Sequence, residues 1–370
     1  MKHCLTLLLA AALCITPAAA HVHPSDVPGP RAITSPWAQD GVEQAEKIGF
    51  GLSASDHRVP ISREDFTSLM MQYVAIQENF DTDTLGELAD FFWEEKDEYG
   101  KAVWVFQDAG WVENRAYYLG LVKGRGDGVF DPEGLITRQE AAVMLVRAYE
   151  VCGGILPEPT DTLRFTDEAQ IAEWARESVG LLADMGVMGG LEDNSFSAHG
   201  NYTVEQCMLT LLRLYQYASV NAENKNTGPL FSYEQCMQYI HGSTDETIKT
   251  EGGPGQYVET EIDGPIATFV RVDQGGFTQA SAFLYFVYHD GGMQSLDIGL
   301  CSNPWTPPLL SSGQATENCR FSEDGRTFYC EVVLRRDIEK GETIVHAAGP
   351  YHITVDVESR SSRADWGLGS

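Results

Sequence analysis

Two arginines directly follow a helix-capping residue, in a position suited to charge recognition. Arg63 follows Ser62, and Arg138 follows Thr137. Serine and threonine favour the residue before a helix, so both arginines are expected in an exposed first turn, where a cation slightly opposes the helix dipole. A guanidinium beside free backbone amides can bind a carboxylate or phosphate. An ion pair with a neighbouring acid such as Glu140 is the alternative, and the residues alone favour it.

The caps belong to a pattern that occurs three times. Each cap is followed three residues later by a residue able to complete a capping box, and an apolar stripe at helical spacing comes next. The capping pairs are Ser62 with Asp65, Thr137 with Glu140, and Thr203 with Gln206. We therefore predict three helices with buried faces, starting at these residues.

Further short motifs surround each of these helices in a constant order. In the second copy they are Phe106-Gln107-Asp108, then Gly120 to Gly124, then Asp127-Gly128-Val129-Phe130-Asp131-Pro132. A related order is found in the third copy, and a more degenerate one in the first, which lacks the Asp-Gly loop. The pattern predicts three units of the form helix, turn, loop, helix. We define them as copy 1 (34–80), copy 2 (104–152) and copy 3 (163–216).

The repeated unit resembles the S-layer homology family, whose repeats carry an aromatic-x-Asp start, a Trp-Ala helix, a Gly turn and an Ile-Thr-Arg-x-Glu helix start. The resemblance implies a pseudo-trimer of repeats that binds a secondary cell-wall polysaccharide, often a pyruvylated one, in grooves between neighbours. It favours ligand binding by the two arginines. It also implies the following ligand residues: Ser62, Arg63, Thr137, Arg138, Glu140, Trp37, Trp174, Gly124, Gly189 and Gly190. For the tryptophans and glycines, packing or turn geometry is an equal alternative. Copy 3 departs from the pattern at Val204, where the family has arginine.

Charge and targeting signals restrict the possible partners. Residues 1–20 read as a secretory signal peptide, and no later apolar run is long enough to span a membrane, so we expect a secreted protein at the cell wall. The chain of 370 residues has 54 acidic and 25 basic side chains, a formal net charge of −29. Such a charge repels nucleic acid and acidic membranes. We find no motif for a metal, a cofactor or a catalytic nucleophile, and expect no enzyme activity.

Six of the eight cysteines lie beyond the predicted signal peptide. Cys319 and Cys330 flank Asp324-Gly325, a pair typical of tight hairpin turns, so we predict a disulfide between them. Cys207 lies on a helical pattern, where a buried free thiol is as plausible as a disulfide.

The C-terminal third has a different character. We expect a polar linker over 217–250, with one short helix at 231–240, and then alternating strands and turns over 251–358. These strands suit an antiparallel, immunoglobulin-like β-sandwich, and the tail from Ser359 is expected to be irregular. The predicted fold class is thus multidomain α + β. The β-domain is expected to act as spacer, adhesin or surface-layer element and to have a surface-protein partner; a wall-anchored polysaccharide hydrolase or a small-ligand module is the alternative.

Overall fold

The computed structural model describes residues 32–93, 95–98, 100, 102–158, 165–221, 228–242, 258–260, 266–275, 279–297, 316–323, 327–332, 351–356 and 361–366. The predicted signal peptide, residues 1–20, lies outside this part of the chain. Among the described helices, none combines the length and apolar character needed to cross a bilayer.

In the described part of the chain, eight α-helices precede the strands. They are α1 (Gln39–Ile48), α2 (Arg63–Glu78), α3 (Thr82–Phe92), α4 (Trp111–Tyr118), α5 (Arg138–Val151), α6 (Glu173–Asp184), α7 (Val204–Val220) and α8 (Tyr233–Gly242). Copies 1, 2 and 3 contribute the helix pairs α1 and α2, α4 and α5, and α6 and α7. The short helix expected near 231–240 is confirmed as α8.

All three predicted starts of the second helices are confirmed. Thr137 and Thr203 each form a complete capping box, with Glu140 and Gln206 respectively, whereas Ser62 accepts a hydrogen bond from the amide of Asp65. The apolar stripes behind these caps are buried, as the periodicity predicts. In α2, for example, Phe66, Leu69, Met70, Tyr73 and Val74 are fully covered.

The segments just before the second helices form a closed ring of backbone hydrogen bonds. The amide of Ile61 donates to the carbonyl of Tyr202 over 2.8 Å, Tyr202 donates to Ile136 over 3.3 Å, and Ile136 donates to Ile61 over 3.2 Å. Each copy thus donates to one neighbour and accepts from the other. The ring fixes the relative positions of the three helix starts.

Helix α3 lies between copies 1 and 2 and was not predicted. It buries Leu85, Leu88 and Ala89, and Asp81 caps its N-terminus by accepting a 2.8 Å hydrogen bond from the amide of Thr84. The acidic run that follows the helix obscured its apolar stripe in the sequence.

The described C-terminal strands form two antiparallel sheets of four strands each. The first contains β1 (Val258–Thr260), β2 (Ile266–Gly275), β3 (Gln279–Tyr288) and β4 (Met293–Asp297). The second contains β5 (Thr316–Phe321), β6 (Thr327–Val332), β7 (Tyr351–Asp356) and β8 (Ser361–Trp366). Strand order follows the sequence in both sheets, without a crossover among the described strands.

Strands β1 to β7 lie within residues 251–358, where strands and turns are predicted, but the prediction of an irregular tail is wrong. Residues 361–366, expected to be irregular, form β8, which pairs with β7 along its whole length. Alternation of Ser, Arg and Asp with Ala and Trp makes this strand less apolar than its neighbours, which explains the error. The sequential strand order differs from the interleaved order of an immunoglobulin fold. The sandwich arrangement therefore remains a prediction.

Strands β5 and β6 pair antiparallel, as the predicted hairpin requires, and its predicted turn at Asp324-Gly325 lies outside the described residues. The register shifts between Glu317 and Arg320, and the pairs Glu317 with Glu331 and Arg320 with Tyr329 flank the shift. The side chains of Cys319 and Cys330 lie outside the described residues, so their disulfide remains a prediction. Cys152, Cys207 and Cys236 are buried and form no disulfide, so Cys207 is the buried thiol that was one of its two expected alternatives.

Part of the expected linker belongs to the helical core. Phe231, Cys236 and Ile240, in and beside α8, are buried in the same apolar cluster as the repeats. The first sheet contacts this cluster as well: the hydroxyl of Tyr285 in β3 donates to Glu87 of α3 over 3.0 Å. Residues 228–242 therefore pack as a structural element and join the first sheet to α3.

Candidate functional site

The start of the second helix in each copy is hydrogen-bonded to a loop of the next copy. The amides of the first two helical residues donate to loop carbonyls of that copy over 2.8 to 3.2 Å. The pairs are Arg63 with Gly134, Glu64 with Pro132, Arg138 with Gly200, Gln139 with Ala198, Val204 with Val59, and Glu205 with His57. We call these contacts junction 1–2, junction 2–3 and junction 3–1. The sequence led us to expect free backbone amides in the first turn. That expectation is wrong, because these amides already donate to carbonyls of the neighbouring copy.

Arg63 is buried in junction 1–2 and contacts copy 2. Only 5% of its surface is exposed. Its Nε donates to the carbonyl of Phe130 over 3.0 Å, and its guanidinium carbon lies 4.7 Å from the centroid of the Phe130 ring. Burial lowers the pKa of this guanidinium, although the charge of Glu140 opposes the shift. The expected exposed position is therefore wrong, because the side chain packs between copies.

Glu140 neutralises much of the positive charge at junction 1–2. Its Oε1 lies 3.5 Å from Nη1 of Arg63 and 3.4 Å from Nη2 of Arg125. Its Oε2 accepts hydrogen bonds from the amide and the hydroxyl of Thr137, over 2.9 Å and 2.8 Å. Arg125 also pairs with Asp131 at 3.2 Å. Glu140 thus serves both the capping box and an ion-pair network, and it pairs with an arginine from another copy rather than with its neighbour Arg138.

Arg138 occupies the equivalent place in junction 2–3, but without an acidic partner. It is 7% exposed, also contrary to expectation. Its Nε donates to the carbonyl of Phe196 over 2.7 Å, and its Nη2 donates to the carbonyl of Gly189 over 2.9 Å. Its guanidinium carbon lies 5.0 Å and 5.2 Å from the ring centroids of Phe196 and Tyr202. Within the described part of the chain, no carboxylate forms a salt bridge with Arg138, and its Nη1 has no hydrogen-bond partner.

Two aspartates hold the loops that carry these phenylalanines. Asp108 accepts hydrogen bonds from the amides of Phe130 and Asp131, over 2.9 Å and 2.8 Å. Asp167 accepts from the amides of Phe196 and Ser197, over 2.7 Å and 2.8 Å. The bonds from Phe130 and Asp131 lower the pKa of Asp108. The recurring aromatic-x-Asp motif was the sequence signal for this role, which we did not assign from the sequence.

Junction 3–1 lacks both partners of the arginine contact. Val204 replaces the arginine and is buried. The hydrogen bond of Glu205 to His57 aligns Ser55 with Phe130 and Phe196, and Ser55 is exposed. Arginine and phenylalanine are therefore both replaced, so the first residue of α7 carries no charge.

The two tryptophans predicted from the sequence are exposed. Trp37 is 65% exposed and Trp174 is 58% exposed. The amide of Ala172 donates to Oε1 of Gln139 over 3.0 Å, which ties the start of α6, and with it Trp174, to the start of α5. No direct contact joins Trp174 to Arg138 among the described contacts. Both side chains nevertheless belong to segments joined at junction 2–3.

The predicted glycines and caps differ in their surroundings. Gly124 has a φ of +68°, and an added Cβ would lie 2.5 Å from the Phe106 ring, so turn and packing geometry explain it. An added Cβ at Gly189 would meet no atom within 4 Å, whereas at Gly190 it would lie 3.1 Å from Asn194. The hydroxyls of Ser62 and Thr137 both accept capping hydrogen bonds.

Comparison with known families agrees with part of this architecture. The family model of the S-layer homology domain matches residues 114–142 and 164–203. The matched residues include Arg138, Gly189, Phe196 and Trp174, and exclude copy 1 and Val204. Junction 2–3 is therefore formed by residues within the S-layer homology match.

Three curated proteins are similar in sequence to parts of this chain. An amylopullulanase of Thermoanaerobacterium thermosulfurigenes is 28% identical over 171 residues, or 45% of this chain and 8% of the relative. Exoglucanase XynX of Acetivibrio thermocellus is 26% identical over 168 residues, or 44% of this chain and 14% of the relative. An endoglucanase of Bacillus sp. (strain KSM-635) is 35% identical over 91 residues, or 25% of this chain and 10% of the relative. The chain thus spans a small part of these enzymes.

Proposed function

We propose that the three copies anchor an exported protein to the bacterial cell wall without a covalent bond, by binding an acidic cell-wall polysaccharide at junction 2–3. The observation that carries this proposal is the buried guanidinium of Arg138, which has carbonyl and aromatic contacts but no acidic partner among the described residues. The S-layer homology match over this junction supports it.

A buried cation is unfavourable unless it is paired and hydrogen-bonded. Two carbonyl groups and two aromatic faces offset part of this cost for Arg138. A carboxylate of the ligand would bind the remaining edge of the guanidinium and complete its pairing. The pyruvyl ketal carried by some wall polysaccharides supplies such a carboxylate. The close local contact also has to overcome repulsion from the formal net charge of −29.

The three junctions differ in their ability to hold an anion. At junction 1–2, Glu140 already pairs with Arg63 and would repel a second carboxylate. At junction 3–1, Val204 supplies no charge. The capping residue of copy 3 is the neutral Gln206, so the equivalent acid is missing beside Arg138. We therefore propose one anion site per chain, with Arg138 as its cation and Trp174 and Gly189 near its edge.

The same proposal assigns a pseudo-trimeric arrangement to the copies, supported by the closed ring of Ile61, Ile136 and Tyr202. The C-terminal sheets then serve as a spacer, an adhesin or an element of the surface layer with a protein partner. The first sheet need not fold apart from the anchor, because the hydroxyl of Tyr285 in β3 donates to Glu87 of α3.

A wall-anchored polysaccharide hydrolase is the second candidate. It is favoured by the names of the relatives, an amylopullulanase, an exoglucanase and an endoglucanase. The aligned part is between 8% and 14% of each relative, so the match by itself transfers no catalytic domain. Release of reducing ends from purified wall polysaccharide, glucan or pullulan by the full exported chain would favour this candidate.

A binding experiment tests the anchor directly. The full exported chain is titrated calorimetrically with purified wall polysaccharide, before and after chemical removal of the pyruvyl group. We expect about one site per chain and loss of binding after removal. Equal binding before and after removal would exclude the pyruvyl carboxylate as the recognised group, and no binding to either preparation would reject the anchor.

A further inference from the structure

A second exposed aromatic surface lies on copy 2 and takes no part in the described contacts of Arg63 and Arg138. Trp111, the first residue of α4, is 51% exposed, and its ring centroid lies 4.7 Å from that of the half-buried Trp104 at an interplanar angle of 79°. We call the two indoles the Trp104–Trp111 platform. No function assigned above uses either ring.

A charged pair fixes the platform in place. The guanidinium carbon of Arg115 lies 5.3 Å from the centroid of the Trp111 ring. Nε and Nη2 of Arg115 donate to Oδ2 of Asp90 in α3, over 3.0 Å and 2.5 Å. The ring is therefore held against a guanidinium whose own position is set by another helix.

Helix α3 is shaped to admit this arginine. Gly86 lies inside α3, where glycine costs about 1 kcal/mol relative to alanine. An added Cβ at Gly86 would lie 2.4 Å from Nη1 of Arg115. The glycine thus makes room for the guanidinium, and three elements cooperate to hold one exposed indole.

We propose that the Trp104–Trp111 platform binds the apolar face of a neutral pyranose, with Arg115 and Asp90 contacting its hydroxyl groups. An aromatic face is electron-rich and attracts the polarised C–H groups on one side of a sugar ring. A sugar hydroxyl both donates and accepts, which suits a guanidinium donor beside a carboxylate acceptor. The side chains of Arg115 and Asp90 keep 21% and 24% exposure, so both remain accessible.

Charge selects a neutral ligand over an acidic one. Asp90 compensates Arg115, so the platform carries no uncompensated cation of the kind seen at Arg138. The acidic protein as a whole repels polyanions. A neutral sugar is not repelled in this way, and its apolar face covers the exposed indole.

The test is calorimetric titration of the full exported chain with three neutral hexasaccharides, built from β-linked glucose, α-linked glucose and N-acetylglucosamine. We expect at least one to bind at millimolar concentration or below. Trp111→Ala should weaken that binding about tenfold, the upper range for one aromatic contact, and Trp111→Tyr should weaken it less. Gly86→Ala should also weaken it, because it displaces Arg115 without touching either indole.

Tyr117→Ala is the matched control, because it removes another exposed aromatic ring of α4, whose ring neighbour is Phe106 and not Trp104. It should keep the neutral-sugar affinity. Thermal melts of each variant exclude unfolding as the cause of a loss. The proposal is overturned if no hexasaccharide binds, if Trp111→Tyr and Trp111→Ala bind as well as the parent, or if Trp111→Ala instead abolishes self-association of the chain. The probes carry no carboxylate, so failure here leaves the anion site at junction 2–3 intact.

Discussion

Arg138 and Phe196 belong to different copies, yet the guanidinium carbon of Arg138 lies 5.0 Å from the Phe196 ring centroid and its Nε donates to the Phe196 carbonyl over 2.7 Å. The arginine therefore joins copy 2 to copy 3 through its own contacts. A substitution there must act on stability as well as on recognition, and the two effects have to be measured separately.

Replacement of Arg138 by alanine should lower the free energy of unfolding by about 2 to 4 kcal/mol. The change removes two charge-assisted hydrogen bonds, leaves buried carbonyls unpaired and opens a cavity. It should also abolish wall binding by the molecules that remain folded. Arg138→Lys should retain part of both properties, because an ammonium keeps the charge but loses the planar fork.

Urea denaturation and calorimetric titration separate these effects. Val204→Ala provides the control, since it removes buried methyl groups from the equivalent position of junction 3–1 and should cost about 1 kcal/mol of stability. Its wall affinity should match that of the parent. An Arg138→Lys protein that is folded and binds the wall with full affinity would contradict the proposed site.

The substitution Glu140→Gln should create a second anion site. Glutamine at this position keeps the reciprocal capping contact, as Gln206 does in copy 3, but removes the charge that pairs with Arg63. Arg63 then resembles Arg138 in having no acidic ion-pair partner among the described residues. We expect the number of bound carboxylate ligands per chain to rise from about one to about two, with a stability loss of about 1 kcal/mol from the lost ion pair.

Calorimetric stoichiometry with a short pyruvylated wall fragment measures this change. A double variant, Glu140→Gln with Arg63→Gln, should return the stoichiometry to one, provided that it remains folded. If the stoichiometry stays at one in the single variant, charge compensation by Glu140 is not the reason that junction 1–2 binds no anion.

The sequence predicted the local features of the fold better than its contacts between copies. The capping residues Ser62, Thr137 and Thr203 fix helix starts through neighbours three residues away, so local spacing suffices to find them. The burial of Arg63 and Arg138 depends on loops 67 and 58 residues further along the chain, at Phe130 and Phe196. A local sequence pattern cannot reveal contacts between residues so far apart in the chain. The position of both arginines in a first helical turn suggested instead that their side chains are exposed.

The ligand-binding role of the candidate site residues remains a prediction, whereas the surroundings expected for them differ from those in the structure. Arg138 and Gly189 do meet at junction 2–3, whereas the backbone amides expected to bind the anion are occupied by Gly200 and Ala198. The difference between Glu140 and Gln206 was present in the sequence. That difference changes the charge beside an arginine, because Glu140 pairs with Arg63 of another copy.

Stability should decrease on acidification partly through Asp108. Hydrogen bonds from the amides of Phe130 and Asp131 lower its pKa in the folded protein. The folded state therefore binds the proton less readily than the unfolded state, and this contribution is complete above the unfolded pKa and lost as pH falls through the folded pKa. The unfolded value is about 3.9, so the loss falls below about pH 4.

Urea midpoints measured from about pH 6 to about pH 2 test this linkage, which should steepen below the unfolded pKa. In Asp108→Asn the amide oxygen can still accept one hydrogen bond, but the titrating group is gone. The variant should be less stable near neutral pH and should lose less stability on acidification. Parallel curves for the two proteins would show that Asp108 contributes nothing to the acid response.

A fragment that ends at residue 297 should be more stable than one that ends at residue 216. The shorter fragment cuts α7 before its end at Val220 and removes α8 and the first sheet. It exposes Phe80 and Phe92, which pack against Phe231, and it leaves Glu87 without the hydroxyls of Tyr239 and Tyr285. Exposure of these rings costs roughly 25 cal/mol for each Å² of apolar surface.

Both fragments should start at residue 21 and be compared by urea denaturation and by sedimentation with purified cell walls. We expect a lower midpoint and a greater tendency to aggregate for the shorter one, because its uncovered apolar surface is contiguous. Wall binding per folded molecule should be equal, since every contact of junction 2–3 lies between residues 138 and 202. Equal midpoints would show that α8 and the first sheet do not stabilise the helical core. Binding by the longer fragment alone would move the recognition site away from the junctions and toward α8 or the sheet.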